Sequence, residues 1–384
     1  MNFDLTAEQQ RVRDAARDFA RREIEPLARE LDREARWPTE ILARLADLGF
    51  LGVAVPAEHG GAGLDHVSYA LVVEEISAAC ASSGVITSVN NALFCDPLLE
   101  LGTDFQKREI LAPTAAGKML GCFGFTEPTG SDPRSMLTVA ERQGDGSFIL
   151  DGAKSFIIAG PQAEHCLVFA VTSAPTAAPP EKPGLTALLV RRGTPGYTLG
   201  PLDDKLGIKA AHSCTLFFEK VKVPRSHVLG EEGGGLDLAL AALDGGRVGI
   251  AAQAIGIARA ALEKAVAYAR DRKVYQTPIA GLQAIQFMIA DMAVEIDAAR
   301  LLTLRAARMK DLGVRHTAES SMAKLLASEM ATRVTHKALQ IHGGHGYLAE
   351  HGVERHYRDA RFTEIHEGTS EIQRIVIAGR ELAQ

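Results

Sequence analysis

Several signatures that would settle a function quickly are missing from this 384-residue chain. No GxSxG elbow, GxxxxGK[ST] loop or HExxH pair occurs, so the common hydrolase, nucleotide-triphosphatase and zinc-protease patterns are excluded. Only five cysteines are present, at positions 80, 95, 122, 166 and 214, without CxxC spacing. A disulfide scaffold or a cysteine zinc site is therefore not expected. Basic residues do not predominate: 42 Lys and Arg stand against 48 Asp and Glu, for a net charge of −6. That balance argues against a nucleic-acid partner. The stretch Leu48 to Val55 is broken by glycine, and no apolar run approaches the roughly 18 residues of a membrane span. MNFDLTAEQQ lacks a basic and then apolar leader pattern, so a cytoplasmic location is expected.

What is present is an ordinary globular composition, 46% apolar and 23% charged, arranged in three zones. Thr6 is placed to cap a helix whose apolar stripe runs through Val12, Ala15, Phe19, Ala20, Ile24, Leu27 and Leu31, with Pro26 expected to kink or divide it. Further helical stretches span 69–81 and 92–101, around a Gly-rich loop at 58–63. Near Gly121 the period changes to short β-like runs at 147–150, 166–171, 185–190, 215–218 and 221–223, with Gly144-Asp145-Gly146 and Asp151-Gly152 as turn signals. The segment 174–184, with four prolines, is expected to be an exposed loop. After Gly233-Gly234-Gly235 the chain turns helical again. Ile285, Ile289, Met292, Ile296 and Ala299 mark one apolar face, and four long helical segments fit a bundle. The expected fold is α+β and multidomain, with an N-terminal α-helical domain over 1–121, a small middle β-barrel over 122–228 and a C-terminal four-helix bundle over 229–384.

Two segments stand out chemically. Thr126-Glu127-Pro128-Thr129-Gly130-Ser131-Asp132 is a polar, turn-rich loop whose hydroxyls and N–H groups suit a phosphate or a polar heteroaromatic ring, or form a plain loop. In Ile365 to Arg374, Glu367 precedes a Gly-Thr-Ser turn into a helix, with Glu371 on its first turn. A carboxylate there is either a cap or a general base tuned by burial. The C-terminal histidines 342, 345, 351, 356 and 366 match no standard metal spacing, and Gly343-Gly344 breaks helical presentation. No metal is expected, and one of these histidines is a candidate for a substrate pocket.

The segments MNFDLTAEQ, VPAEHGGAG, GVITSVNNAL, TEP with GSD, DKLGIK, LDGGRVGIAAQA, LQAIQFMIADM, SMAKLLASE, QIHGGHGY, ERHYRDAR and EGTSEIQR, in this order, resemble the acyl-CoA dehydrogenase family, its short-chain (butyryl-CoA) branch above all. The resemblance implies FAD-dependent formation of a trans-2-enoyl thioester. A carboxylate removes the α-proton, and the β-hydrogen leaves as hydride to flavin N5. Glu367 matches the base. Some branches carry the base directly before an arginine, but here that position is Gly246, before Arg247. Phe125, Thr126 and Ser131 match the loop holding the flavin ring and pyrophosphate, and Phe156 the aromatic residue covering the ring. Ile158 falls at the N5 position. Arg272 and Gln283 match contacts to the FAD of a neighbouring subunit, and Gln340, Gly343 and Gly344 match adenosine-side contacts. Thr369 and Glu371 match the last cofactor contacts. Ser131, Asp244, Arg247, His366 and Gly368 match positions near the acyl-CoA. A homo-oligomer, most often a tetramer, and electron-transferring flavoprotein as acceptor are implied, with no membrane and no nucleic acid.

Four departures from the family pattern lie near this expected site. Ile158 replaces a hydroxyl that hydrogen-bonds flavin N5, a loss of roughly 0.5–1.5 kcal/mol. TEPTGSD is one residue short, His366 replaces a tyrosine, and Ala210-Ala211-His212 replaces small hydroxyl residues. Together they raise two alternatives: desaturation of a polar or carrier-protein-bound acyl thioester, and a flavin- or CoA-binding relative without turnover.

Overall fold

Thr6 accepts a hydrogen bond from the Gln9 amide while the Gln9 side chain accepts one from the Thr6 N–H, so a full capping box opens the helix Ala7–Phe19. This computed structural model describes residues 4–173 and 184–383. The buried stripe of the first helix uses Ala16 in place of the expected Ala15. Beyond it a wider π turn, Ala20–Ile24, precedes Pro26, where the run ends, and Ala28–Glu34 begins a separate helix. Helices His66–Ala79 and Ala81–Ser88 are buried over most of their lengths, as expected for apolar segments enclosed by other helices.

The middle region is an eight-stranded sheet: β1 (Gly121–Gly124), β2 (Val139–Arg142), β3 (Phe148–Ile158), β4 (His165–Ser173), β5 (Gly184–Arg191), β6 (Tyr197–Leu202), β7 (Ser213–Val223) and β8 (Val228–Leu229). Its hydrogen-bonded order is β6-β7-β3-β2-β4-β5-β8, with β1 added parallel to β4. Phe148, Leu150, Val168, Leu188, Leu216 and Val221 fill one face, and Phe169, Ala187 and Leu189 pack with Phe94, Leu98 and Leu238 of the helical regions on the other. Two expected turns prove to be bulges. Asp151-Gly152 lies inside β3, where the register to β7 shifts, and the expected runs 215–218 and 221–223 form one strand. Asp151 explains both, because its carboxylate accepts from the N–H of Lys220, which bends through φ +51°. The expected proline-rich loop lies outside the described residues except for Gly184, which opens β5.

The carboxyl-terminal third is built on the helix Gly235–Asp271, which packs against Gln283–Asp311, Thr317–His342 and the N-terminal helix His66–Ala79. The fourth expected segment is two short helices, Val353–Thr363 and Ser370–Leu382, split by the turn that carries Glu367. An 18-residue stretch of Gly235–Asp271 is apolar enough to cross a membrane, at a mean hydropathy of 1.3, yet 78% of it is buried within the protein. Alanine with scattered Ile, Val and Leu supplies that hydropathy, and interspersed glycines and polar residues break any unbroken run of large residues, which is why the sequence shows no obvious span. The small residues serve packing: a Cβ at Gly256 would stand 2.2 Å from the Glu74 carbonyl oxygen. Glu74 and Glu75 are in turn neutralised by Arg17 from the N-terminal helices and by Arg259 and Arg300, and the latter two tie the helical regions together.

Candidate active site

Glu367 sits in a turn that its neighbours hold open. Its own φ is +56° and that of Gly368 is +93°, so two successive residues adopt the left-handed region. For a glutamate this costs of order 1 kcal/mol or more and persists only when the surroundings fix it. Three hydrogen bonds do so: Gln373 Nε2 reaches the carbonyls of Glu367 at 3.1 Å and Gly368 at 2.9 Å, and Lys324 Nζ reaches that of Gly368 at 2.7 Å. The Ser370 amide closes the loop onto the Glu364 carbonyl, and Thr369 becomes the N-cap of the last helix by its backbone, without a side-chain cap bond. The carboxylate is thereby pointed at the helix Gly235–Asp271, where a Cβ at Gly246 would lie 2.0 Å from Glu367 Oε2. Gly246 thus lacks the alternative base and also makes room for the one present.

Polar atoms without partners converge here. Both Glu367 oxygens, His366 Nδ1, Ser370 Oγ, Gln373 Oε1 and Arg247 Nε are buried with no hydrogen-bond partner. Such a concentration is costly in a finished core and characteristic of a site shaped for a ligand. Burial pushes the Glu367 carboxyl up to about 8, against the opposing charges of Lys324 and Arg247. Burial pulls Lys324 down to about 8 and, with the nearby Lys324 charge, His366 down to about 3. His366 is therefore a neutral imidazole, stacked on Phe362 at 4.7 Å, with Nδ1 3.7 Å from Glu367 Oε1. Arg247 is oriented by Asp244 at 2.7 Å and Ser321 at 3.3 Å, and Thr317 donates to the other Asp244 oxygen. Deeper along the same helix, Tyr69 and Ser88 hydroxyls pair at 2.9 Å over Gly249.

The residues expected around the cofactor divide into two groups. Phe125, Thr126, Phe156 and Ile158 meet at the β1 and β3 ends of the sheet, where the Ser155 amide donates to the Thr126 carbonyl at 2.8 Å. Phe156 is 67% exposed at φ +61°, an apolar ring presented outward by the backbone. Ile158 is buried and offers no donor. Ser131 is exposed on a loop stiffened by Asp132 and Arg134. Arg272, Gln283, Gln340, Gly343 and Gly344 are exposed and lie elsewhere, about the far end of the helix Gly235–Asp271. Ile279 N donates to the Arg272 carbonyl there, and Tyr268 stacks on His342 at 4.4 Å and bonds His345. At 1.5 Å per residue, Gly246 and Arg272 stand about 39 Å apart on that helix. Glu371 is on the surface beside Thr369.

Some sequence candidates turn out to be structural. Glu127, in the expected ligand loop, is buried against Lys154 at 2.9 Å and accepts from the Leu137 and Thr138 amides. His212 bonds Gln162 and the Ala35 carbonyl, and packs on Trp37, so the 210–212 departure is a seam to the N-terminal helices with Ala210 and Ala211 fully buried. Sequence reasoning assigns no role to Lys324 or Gln373. Gln373 follows Glu367 by six residues within one motif, which was the available signal, whereas Lys324 reaches the turn only through the fold. Among the described residues no group of His, Cys, Asp and Glu side chains is disposed to hold a metal ion.

Comparison with known proteins agrees along the whole chain. Family models described as the N-terminal, middle and C-terminal domains of acyl-CoA dehydrogenase match residues 6–118, 122–221 and 233–382. The mitochondrial short-chain specific acyl-CoA dehydrogenase of Bos taurus is 48% identical over 99% of this chain and 92% of its own. Butyryl-CoA dehydrogenase from Megasphaera elsdenii superposes with a TM-score of 0.95 at 41% identity, covering both chains fully. A chain from a structure of the electron transferring flavoprotein of Acidaminococcus fermentans superposes with a TM-score of 0.97 at 40% identity, again over both full lengths.

Proposed function

The chain belongs to the acyl-CoA dehydrogenase family of FAD-dependent oxidoreductases, and from that premise we propose that it forms a trans-2-enoyl-CoA from a short or short-branched acyl-CoA, with Glu367 as the base. The observation that carries this reading is the Glu367 carboxylate, buried, unpartnered and aimed across Gly246. The likeness to short-chain and butyryl-CoA enzymes supports the chain length.

The residues present fit the cofactor. Phe156 offers an exposed ring on a fixed backbone, and Phe125 and Thr126 stand at the adjoining strand end. Bound FAD supplies the acceptor for the β-hydrogen, taken as hydride. The rest belongs to this chain. The α-proton passes to a Glu367 oxygen, the Cα–H electron pair becomes the second Cα–Cβ bond, and the β-hydrogen leaves with its own pair. Arg247 and Asp244, with Ser131, His366 and Gly368, line the approach of the thioester. Burial of Glu367 keeps bulk water away from its carboxylate while the thioester is bound.

The set at Arg272, Gln283, Gln340, Gly343 and Gly344 lies too far from Glu367 to serve the same FAD within one chain. We therefore assign it to the FAD of a second copy in a homotetramer, in which the apolar side chains exposed on this region, Phe287 and Val294 among them, would be covered. Electron-transferring flavoprotein is the proposed acceptor. An anaerobic titration of the FAD-loaded protein with a panel of acyl-CoAs tests the main reading. Bleaching of the oxidised-flavin band by one short thioester, lost in Glu367→Gln, is expected. Binding without bleaching, or bleaching only by a carrier-protein thioester, would overturn it.

A further inference from the structure

Lys324 is one of the two largest fully buried charged side chains in the protein, and its position is unexplained by packing. It lies in the first third of the helix Thr317–His342 and is fully buried. Its ammonium makes one hydrogen bond, 2.7 Å to the Gly368 carbonyl. Among the described residues no carboxylate forms an ion pair with it, in contrast to Lys154, which sits directly on Glu127. A lysine is costly to bury in this way unless a charge nearby repays part of the loss.

The groups facing this point come from three elements. The helix Gly235–Asp271 contributes Arg247, whose charge is already matched by Asp244. The turn itself contributes Glu364, His366, Glu367 and Glu371, and Lys324 is the only cation on its own helix that acts on Glu367. On the helix His66–Ala79, Tyr69 is close enough to feel the Glu367 charge. Both charges act on Glu367, but Arg247 is held by Asp244, whereas Lys324 has no carboxylate partner and holds the carbonyl one residue from the base.

We propose that Lys324 is a positioning residue for the general base: its hydrogen bond to the Gly368 carbonyl fixes the left-handed Glu367–Gly368 turn, and its buried ammonium, without an ion-pair partner of its own, is the counter-charge beneath the Glu367 carboxylate. The proposal rests on the reading of Glu367 as base. Two devices then act together on one side chain. The turn aims the carboxylate, and the ammonium offsets the burial that would otherwise leave it permanently protonated.

The test uses the full-length FAD-loaded enzyme and the variants Lys324→Met, Lys324→Gln and Lys324→Arg. Lys324→Gln retains a donor for Gly368 without the charge, so it serves if Lys324→Met does not fold. Ionisation of Glu367 is followed by infrared difference spectroscopy against Glu367→Gln across pH, and α-proton exchange of an acyl-CoA into deuterated water is followed anaerobically. The neutral variants are expected to move both midpoints upward by about one pH unit or more. This corresponds to roughly a tenfold loss of exchange on the acid limb, recovered at high pH, while Lys324→Arg keeps the original midpoint. In Lys324→Gln, which keeps a donor, an unmoved Glu367 midpoint would overturn the role of the charge, and in Lys324→Met a rate equal to that of Lys324→Gln at every pH would overturn the role of the hydrogen bond. Exchange that persists in Glu367→Gln would instead overturn the reading of Glu367 as base.

Discussion

The protein buries two glutamates beside two lysines, and the two pairs are built in opposite ways. Glu127 accepts from Lys154 and from two backbone amides, and these bonds hold its carboxyl below the usual range despite burial. Glu367 accepts from nothing, stands clear of Lys324, and is pushed up to about 8. By residue type and burial alone, both pairs read as structural ion pairs. The difference lies in where the hydrogen-bond donors are spent. Around Glu127 they go to the carboxylate, and the loop 126–138 is locked onto β3. Around Glu367 they go to the main-chain carbonyls of the turn, so the backbone is rigid while the side chain remains unsatisfied. A satisfied buried carboxylate contributes fixed geometry, and an unsatisfied one contributes chemistry.

That contrast is broken most severely at the base. Glu367→Gln keeps the shape and removes the proton acceptor, so flavin reduction by the best acyl-CoA should fall by about 10²–10⁴-fold. Folding should be retained, because no hydrogen bond to the carboxylate is lost; stopped-flow bleaching together with circular dichroism would check both halves. At the other pair the pattern reverses. Glu127→Ala leaves Lys154 buried without its partner, and should cost about 3–5 kcal/mol of stability. The rate per folded, FAD-loaded molecule should change much less, and urea unfolding beside active-site titration separates the two. If Glu127→Ala proved as stable as the parent, the loop would not be anchored as described.

A smaller perturbation sharpens the geometry. Gly246→Ala would introduce a Cβ 2.0 Å from Glu367 Oε2. The helix there is buried, so the carboxylate and its turn must give way, at about 1–3 kcal/mol of overpacking strain. Expressed in activity, this predicts a fall in kcat from a misaimed base, with thioester affinity changed less. An unaltered kcat would show that Glu367 does not rely on the space above Gly246.

How much of this is legible in the sequence depends on how local the determining contact is. The Thr6 cap, the break at Pro26 and the Gly-Thr-Ser turn beside Glu367 each depend on residues within a few positions of one another, and the order of residue types is enough to place them. The buried stripe runs through Ala16 where Ala15 is expected: Gln9, Val12, Ala16 and Phe19 keep regular helical spacing, and two adjacent alanines do not tell which of them faces inward. The role of Glu127 requires Lys154, 27 residues away on another strand. Lys324 is further removed still, and nothing in an Ala-rich helical run marks one lysine as lying beneath a turn 44 residues later. The family resemblance supplies the identity of the base. It does not indicate that the base is held by its carbonyls, which follows only from the tertiary hydrogen bonds.

The last expected effect concerns pH, and it distinguishes the two carboxylates by sign. The folded Glu367 pKa is raised above its ordinary value of 4.5 to about 8. In the free pocket the side chain is therefore protonated at neutral pH, and kcat/KM should fall about tenfold for each pH unit below that midpoint. The same shift implies that the neutral carboxyl is the form the folded protein favours. Its contribution to stability is complete below the ordinary carboxylate range and is lost as pH rises through about 8. Glu127, held below its ordinary range, contributes stability that is instead lost on acidification. Glu367→Gln cannot ionise, so its Tm relative to the parent should be higher at pH 9 than at pH 6. An isosteric replacement of Glu127 by Gln should lower Tm at both, and progressively less towards acid. A Glu367→Gln difference that is the same at pH 6 and pH 9 would mean that the carboxylate is not destabilised by the pocket, and that the contrast between the two pairs is one of geometry alone.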